Sequence, residues 1–421
     1  MSKPKIAIIS FPGSNGETEN LRCFWRNGFD AFVFRWNDSK EKLKEVDGYF
    51  IGAGFSYEDR GRAGMVAGRD PLFDFLHEES AKGKVIIGHC NGAQVLVESG
   101  LVPVGDKLRM SLARNAIKEK DNWHSPGFLN EWIYITPACN RDRCAASDWN
   151  GNMRIPIAHG EGRFITKDPD LISELEKNDQ IAFRYCDAEG NVSADSPVTP
   201  NGSTDAIAGI CNPAGNVVAM MPHAERTVDG DVYFESIKRW IEGNHVILSE
   251  ASSPQRTSEV EGPNIAKRAP SNLEIFIETI IVNNEERTVE QAAKRISSNL
   301  ELKQFRYMSL KNKSAEDILT TISIFNPNKE IAYIRKSDKE SKWYEWDNSK
   351  KTMEPTDNPI SDVSLIRRDE PDMNAESLGK GSETGVCYSI NNVSKDDLND
   401  PKLQEIFGNP HASVLEVMTC C

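Results

Sequence analysis

Short, continuous apolar runs alternate with helix-length polar and amphipathic segments through the first part of this 421-residue chain. The first four runs are Lys5–Ser10, Ala31–Phe34, Gly48–Ile51 and Lys84–Ile87. Strands that alternate with helices predict crossover units on a parallel sheet. Because the runs are apolar throughout rather than at every second residue, we expect helices on both faces of that sheet. The chain is therefore predicted to begin with an α/β domain.

The same domain is predicted to continue through four further strands and one closing helix. The strands are Glu131–Thr136, Ile155–Ala158, Ala206–Ile210 and Asn216–Met221, and the helix is Tyr233–Glu242. A polar stretch without periodicity follows and is typical of an exposed linker. The predicted organisation is thus a domain over residues 1–245, a linker over 246–271 and a second unit over 272–421.

The second unit is predicted to be a small α+β module. Its predicted elements are a strand at Leu273–Val282, a helix at Val289–Ile296, a strand at Lys303–Leu310, a helix at Ala315–Phe325 and a strand at Glu330–Arg335. The charged segment Asp338–Asp362 has little pattern, and we expect loops and edge strands there.

Composition excludes several classes of function. The net charge of −14 is spread without a long Lys/Arg run, so we do not expect nucleic acid as a partner. No stretch reaches the ~18 apolar residues of a membrane helix, and no membrane partner is expected. The nine cysteines are irregularly spaced without a CxxC pair, which favours a reducing cytoplasm over a disulfide framework or a zinc site.

The strongest local signal is a G-x-C-x-G turn centred on Cys90, between a buried strand and a helix. This is the pattern of a nucleophile elbow with cysteine in the serine position. Gly88 and Gly92 suit a strained turn where neighbouring chain comes too close for a Cβ. A helix that starts at Asn91 directs its positive end at the sulfur. An ordinary strand–helix turn with a buried cysteine has the same pattern, so the turn alone does not decide.

A cysteine nucleophile needs a histidine base and an acid that orients it, both at the carboxyl edge of the sheet. Two of the seven histidines follow apolar strands in a His-x-Glu arrangement: His159 with Glu161, and His223 with Glu225. In an extended segment, residues i and i+2 point to the same side, so either glutamate could reach its histidine. The residues themselves leave both pairs open.

An oxyanion site also needs a free backbone N–H opposite the nucleophile. The glycine-containing segment Tyr49–Tyr57 ends another predicted strand, and the N–H near Gly54 could face the N–H that follows Cys90. Glycine-rich turns of this kind are common and also cradle phosphates, so this motif is weak in isolation.

Seven segments resemble, in motif order, the glutaminase subunits of phosphoribosylformylglycinamidine synthase (PurQ-type), which are class I, or triad, glutamine amidotransferases. The segments are Phe11–Asn15, Ala53–Tyr57, Gly88–Gln94, Pro156–Phe164, Phe183–Tyr185, Asn201–Ser203 and Met220–Arg226. The resemblance covers about residues 4 to 245. It implies a flavodoxin-like, parallel-rich sheet with helices on both faces.

The resemblance also implies roles for individual residues. The catalytic triad would be Cys90, His223 and Glu225, which leaves His159 and Glu161 as binding or structural residues. The N–H groups of Gly54 and Asn91 would hold the oxyanion, and Gln94 would help to bind the glutamine substrate.

Three departures from the family pattern concern the geometry of the site and leave its reacting groups intact. Ala53 replaces the first glycine of a Gly-Gly pair, Glu58 replaces the glycine of Tyr-Gly-Asp, and Ala224 replaces the proline of His-Pro-Glu. We expect Ala53 to restrict the oxyanion loop, and the loss of proline to loosen the His223–Glu225 segment slightly.

The resemblance further implies a reaction and partners. The chain would hydrolyse L-glutamine without a metal or organic cofactor of its own, and would supply ammonia for purine synthesis to a PurL-type synthetase subunit that binds ATP and Mg²⁺. The second unit would be a fused PurS-type bridging domain, or else an unrelated docking or oligomerisation module. Two alternative functions remain at this point: a class I glutaminase that serves a different synthetase, and a non-catalytic scaffold.

Overall fold

A computed structural model describes residues 2–105, 107–120, 122–243, 265–268, 271, 273–337, 341–394 and 396–418. The chain divides into two compact units, Met1–Arg256 and Thr257–Cys421. Most of the predicted linker 246–271 lies outside the described residues, which include only 265–268 and 271 of it. Within the described ranges, no helix combines the length and the apolar character needed to cross a bilayer.

The first unit contains every strand predicted for residues 1–245, each within two residues of its predicted limits. Its strands are β1 (Lys5–Ser10), β2 (Asp30–Arg35), β3 (Gly48–Ile51), β4 (Val85–His89), β5 (Ser111–Ala113), β6 (Ile117–Glu119), β7 (Asn122–His124), β8 (Leu129–Pro137), β9 (Met153–His159), β10 (Arg163–Ile165), β11 (Ile181–Cys186), β12 (Ile207–Cys211) and β13 (Val217–Met220). Its α-helices are α1 (Glu17–Arg26), α2 (Met65–Gly68), α3 (Leu72–Ala81), α4 (Asn91–Glu98), α5 (Leu171–Lys177) and α6 (Asp231–Glu242).

These strands form a mixed nine-stranded sheet in the order β2-β1-β3-β4-β13-β12-β11-β8-β9. The first five strands pair in parallel, and the remaining neighbours pair antiparallel. The change of direction has a simple cause, because only residues 212–216 join β12 to β13 and a parallel crossover needs about a dozen residues or more. The predicted α/β fold is confirmed.

Both faces of the sheet are covered, as the continuous apolar runs predicted. Ile9 of β1 belongs to one core together with Leu96 of α4. Its neighbour Ile8 belongs to the opposite core, together with Phe24 of α1 and Phe234 of α6. Successive residues of one strand thus point into different cores, which is why β1 cannot carry the polar alternation of a one-sided sheet.

The second unit is a separate α+β body. Its strands are β14 (Ala266–Arg268), β15 (Leu273–Thr279), β16 (Glu301–Leu310), β17 (Glu330–Ser337), β18 (Ser341–Asp347), β19 (Thr352–Pro355), β20 (Ser364–Asp369), β21 (Glu383–Asn391) and β22 (Ser413–Met418). Its α-helices are α7 (Asn284–Lys294), α8 (Ala315–Leu319), α9 (Ala375–Leu378) and α10 (Pro401–Phe407). The sheet order is β14-β22-β20-β21-β16-β15-β17-β18-β19.

Two predicted helices of this unit differ from the observed ones because side chains set their ends. Helix α7 starts at Asn284, before the predicted limit, since the Asn283 side chain accepts a hydrogen bond from the Glu286 N–H at 3.1 Å. Helix α8 ends at Leu319, well before the predicted Phe325, and the Thr320 hydroxyl bonds back to a carbonyl of that helix at 2.7 Å. The apolar periodicity gave no sign of either end.

Strands after residue 362 were not predicted. Strands β20, β21 and β22 complete one side of the sheet, and β21 pairs with β16. Within the charged segment, β19 is the edge strand that was expected, whereas β18 lies one place inside the edge. A short strand gains its stability from its neighbours in the sheet, and local composition carries little of that information.

Candidate active site

Cys90 lies between β4 and α4, in a backbone conformation that few residues adopt. Its φ is 51° and its ψ is −107°, outside the regions that L-residues prefer. Hydrogen bonds on both sides hold the turn: the Cys90 N–H donates to the Met220 carbonyl at 2.9 Å, and the Gln94 N–H donates to the Cys90 carbonyl at 3.1 Å. The strained elbow that the motif predicted is therefore present, with its side chain at the end of β4.

The two glycines of the motif leave space for neighbouring backbone. A Cβ on Gly92 would lie 1.9 Å from the Ile51 carbonyl oxygen of β3. A Cβ on Gly88 would lie 2.5 Å from the Gly92 carbonyl oxygen. Both distances are far below van der Waals contact, so α4 can approach the sheet this closely only with glycine at 88 and 92.

His223 and Glu225 follow β13, which pairs in parallel with β4 in a register that sets Met220 opposite His89. Their side chains are buried, and His223 Nδ1 lies 2.6 Å from Glu225 Oε1. The prediction assumed an extended segment, but residues 224–226 form a 3-10 turn. The imidazole and the carboxylate therefore meet across a tight turn.

Charges around His223 favour its protonated form. Burial lowers the pKa of His223, but the charges of Glu225 and Cys90 and the hydrogen bond to Glu225 outweigh it and raise the pKa to about 10. Burial raises the pKa of Glu225, but the neighbouring histidines outweigh it and hold that pKa well below the usual range. The site can thus stabilise an imidazolium ion between a sulfur and a carboxylate.

The second His-x-Glu pair is arranged differently. His159 Nδ1 lies 3.2 Å from the side-chain oxygen of Asn115, and burial together with the charge of His223 lowers the pKa of His159 to about 3. Glu161 turns away, and its carboxylate accepts a hydrogen bond from the Ala63 N–H at 3.2 Å. His159 is therefore a neutral, buried imidazole, and no carboxylate among the described residues orients it.

His159 is nonetheless close to the nucleophile. The Cys90 thiol donates a weak hydrogen bond to the Ala158 carbonyl at 3.5 Å, directly before His159. The histidine that lacks a carboxylate partner thus forms part of the wall around the sulfur, in keeping with a structural or binding role.

Backbone N–H groups of Gly54 and Asn91 are available where the sequence predicted an oxyanion site. Neither N–H donates a hydrogen bond to another group in the described part of the chain. Gly54 has a φ of +153°, and a Cβ there would lie 2.7 Å from Ser14 Cα. The φ of Ala53 is negative, a conformation that suits a residue with a Cβ. The oxyanion loop therefore accommodates Ala53 without backbone strain.

The Asn91 side chain ties the oxyanion loop to α4. Its oxygen accepts from the Ser56 N–H at 3.0 Å, and its amide donates to Gln94 Oε1 at 2.9 Å and to Asp59 Oδ1 at 3.3 Å. Gln94 in turn donates to the Glu161 carbonyl at 2.5 Å. Both ends of the Gln94 amide are engaged, so in this arrangement it positions two loops.

Two residues of this region were not singled out from the sequence. Burial and the charge of Glu161 raise the pKa of Asp59 to about 7. His89 lies directly before the nucleophile, and its Nδ1 is 2.7 Å from Glu225 Oε2. His89 and Glu225 are 136 positions apart in sequence, and no spacing rule connects them.

No group of three or more His, Cys, Asp or Glu side chains is arranged to hold a metal ion in the part of the chain that the structure describes. The chemistry that these residues can perform is nucleophilic attack by sulfur, with proton transfer through imidazole.

Comparison with known proteins places this site in a family context. The model of the CobB/CobQ-like glutamine amidotransferase domain matches residues 3–245. Phosphoribosylformylglycinamidine synthase subunit PurQ of Methanothrix thermoacetophila is 42% identical over 257 residues, which cover 56% of this chain and 98% of that protein. The PurQ subunit of Thermomicrobium roseum is 38% identical over 226 residues, covering 53% and 88%. A chain in the structure of PurLQS from Thermotoga maritima is 29% identical, with coverages of 57% and 99% and a TM-score of 0.45.

Proposed function

The chain belongs to the CobB/CobQ-like glutamine amidotransferase family, and from that premise we propose that it is the glutaminase component of phosphoribosylformylglycinamidine synthase. Relatives that carry the name of this synthase's PurQ subunit match 56% and 58% of this chain over 98% and 100% of their own length. The matched family domain ends at residue 245, so the synthase assignment concerns residues up to about 245.

The observation that carries the proposal is the arrangement of Cys90, His223 and Glu225. A strained turn presents the sulfur, the raised pKa of His223 favours a positive charge beside it, and the carboxylate lies 2.6 Å from the far side of the ring. Thiolates are the reactive form of cysteine, and a neighbouring imidazolium stabilises them. This is the combination that acyl transfer from an amide requires.

In the proposed reaction, the Cys90 sulfur attacks the side-chain carbonyl carbon of glutamine. The negative charge that develops on the oxygen is held by the N–H groups of Gly54 and Asn91. His223 passes a proton from Nε2 to the leaving ammonia, and the amide carbon remains bound to sulfur as a thioester. Water then attacks the thioester and gives a proton to the same nitrogen, which releases glutamate.

The ammonia must reach its acceptor before it is lost to water, so the partner is a PurL-type synthetase subunit. That subunit would bind ATP and Mg²⁺ and convert formylglycinamide ribonucleotide to its amidine. The word "subunit" in the names of the relatives agrees with such an assembly.

The decisive experiment mixes the purified chain with a PurL-type synthetase, ATP, Mg²⁺, glutamine and formylglycinamide ribonucleotide. We expect glutamine-dependent formation of the amidine product. Glutamate release without amidine would refute the purine assignment and would favour a glutaminase that serves another synthetase.

A labelling experiment tests the nucleophile by itself. A glutamine-analogue electrophile should modify Cys90 in the presence of the synthetase, and Cys90→Ala should abolish the modification. Cys186→Ala removes another buried thiol and is the matched control, which should be modified normally. Absence of modification in all three proteins would contradict catalysis and favour a scaffold.

The second unit is proposed to bridge glutaminase and synthetase, in the manner of a PurS-type subunit. The order β15-α7-β16-α8-β17 agrees with a β-α-β-α-β module. The test compares residues 1–245 with the full chain for binding to the synthetase. Equal binding would refute the bridging role, whereas weaker binding by the shorter chain supports it.

A further inference from the structure

Glu225 has two histidine partners, one on each carboxylate oxygen. His223 Nδ1 lies 2.6 Å from Oε1, and His89 Nδ1 lies 2.7 Å from Oε2. All three side chains are almost completely excluded from solvent. In a buried site, neither oxygen of the carboxylate can turn to water, so each needs a donor from the protein.

The protonation of His89 follows from that geometry. Glu225 is ionised, because the charge of His223 and the hydrogen bonds of both histidines keep its pKa low despite burial. An ionised carboxylate only accepts hydrogen bonds, so Nδ1 of each histidine must donate. The other ring nitrogen of His89, Nε2, is buried without a hydrogen-bond partner among the described residues.

The surroundings of His89 restrict what else it can do. Its ring is in edge contact with Phe50 and Tyr233, each at a centroid distance of 5.0 Å, and with Phe234 at 6.0 Å. Within this aromatic enclosure the His89 side chain is fully buried. Any influence of His89 on the reaction must therefore pass through Glu225.

Other titratable groups face Glu225 but do not replace His89. Arg226 Nε is 3.9 Å from Oε1, the oxygen that already accepts from His223. The charge of Glu225 is also felt by Cys23 of α1 and Tyr233 of α6. The Tyr233 hydroxyl makes no hydrogen bond within the described residues, so the close donor to Oε2 is His89.

We propose that His89 is a positioning residue for the glutaminase reaction, which acts by donating Nδ1–H to the second oxygen of Glu225. With Oε2 held, Oε1 stays aligned with His223 and keeps that ring protonated on Nδ1, so Nε2 is left to exchange protons with Cys90 and the leaving ammonia. Without His89, a buried carboxylate oxygen loses its donor and can rotate or take up a proton. The inference rests on the proposed function.

Two amide substitutions separate donation from packing. His89→Asn places an amide nitrogen at the δ position, where it can donate to Glu225, whereas His89→Gln places it at the ε position. His89→Leu removes the donor and retains an apolar side chain. A role in packing alone predicts that Gln and Leu, which are closer to histidine in size, are tolerated better than Asn.

The readout is the rate at which a glutamine-analogue electrophile labels Cys90 between pH 5 and 9, together with kcat and KM for glutamine hydrolysis beside the synthetase. For His89→Leu and His89→Gln we expect labelling and kcat to fall about tenfold to hundredfold, the range for losing a hydrogen bond to a charged group. KM should be unchanged. The acid limb of the pH profile should move to higher pH, because a carboxylate with one donor takes up a proton more readily. His89→Asn should stay within about threefold of the unsubstituted chain.

Wild-type rate and pH profile in His89→Leu would overturn the proposal, as would Gln performing as well as Asn in folded proteins. If the variants do not melt cooperatively, the unsubstituted chain labelled with ¹⁵N-histidine decides: a proton on His89 Nδ1 supports the proposal, and a ring without a proton on Nδ1 refutes it. Failure to label Cys90 in the unsubstituted chain would instead refute the proposed function.

Discussion

Glu225→Gln tests most directly how the site uses its buried charges. The substitution keeps the size of the side chain and replaces one carboxylate oxygen with an amide group. The amide offers one accepting oxygen to the two Nδ1–H groups of His223 and His89, which lie 2.6 Å and 2.7 Å from the carboxylate oxygens, and neutralisation removes the charge that favours an imidazolium.

The magnitude follows from the pKa of His223, which is raised from 6.5 to about 10. This rise of ~3.5 units corresponds to about 5 kcal/mol of preference for the charged ring. Burial opposes the rise, so Glu225 and Cys90 together supply at least this amount. If the carboxylate supplies between half and all of it, the rate of acyl transfer should fall between about 50-fold and about 3,000-fold.

The assay is glutamate release in the presence of the synthetase, with Cys90 labelling as a second measure. Glu161→Gln is the matched control, because it makes the same change in the other His-x-Glu pair. There the carboxylate accepts a hydrogen bond from the Ala63 N–H, and the oxygen of an amide can still accept that bond. Its effect should be below about tenfold. Activity of Glu225→Gln within about threefold of wild type, or a larger loss in Glu161→Gln, would refute the assignment of the triad.

Three further predictions concern stability. Gly92→Ala should lower the melting temperature of the first unit by about 6–12 °C, because the new Cβ would lie 1.9 Å from a strand carbonyl oxygen and cost about 3 kcal/mol. Gly160→Ala is the control and should change the melting temperature little, because the nearest atom to its Cβ would be 3.8 Å away. Asp59 holds its proton up to about pH 7 in the folded protein but only to about pH 3.8 in the unfolded chain, so the stability of the folded state should fall as pH rises through that window. Asp59→Asn should remove this decline. The prediction would be contradicted if the melting temperatures of the two proteins differed by the same amount at pH 5 and at pH 8. Glu274→Leu should destabilise the second unit by about 3–5 kcal/mol in denaturant melts, because it leaves the buried Arg335 guanidinium without its carboxylate, and a loss below about 1 kcal/mol would contradict this.

The second unit shows which helices and strands of this chain the local sequence pattern predicts and which it does not. Strand β16 and the start of α8 were close to prediction, because apolar runs are local signals, and in the structure a Ser314–Asp317 capping box fixes the start of α8. The end of α8 and the strands after residue 362 were missed. Strand β22, for example, is stabilised by pairing with β20 and β14, and the residues Ser413–Met418 alone do not predict that pairing.

The nucleophile turn is the part of the site that sequence alone determined. Glycines at 88 and 92 and a cysteine between them specify a backbone conformation within a few residues, and the structure has that conformation. The order of motifs and the similarity to known families then identified the chemistry.

Tertiary structure decided which atoms surround Cys90. Two His-x-Glu pairs were equivalent as residue patterns, but only His223 meets its glutamate, because a 3-10 turn brings the two side chains together and Glu161 turns to Ala63. The contact of His89 with Glu225 joins the end of β4 to the turn after β13 and depends on the parallel pairing of those strands. Short-range geometry is encoded by neighbouring residues, whereas partners 136 positions apart are chosen only when the sheet assembles.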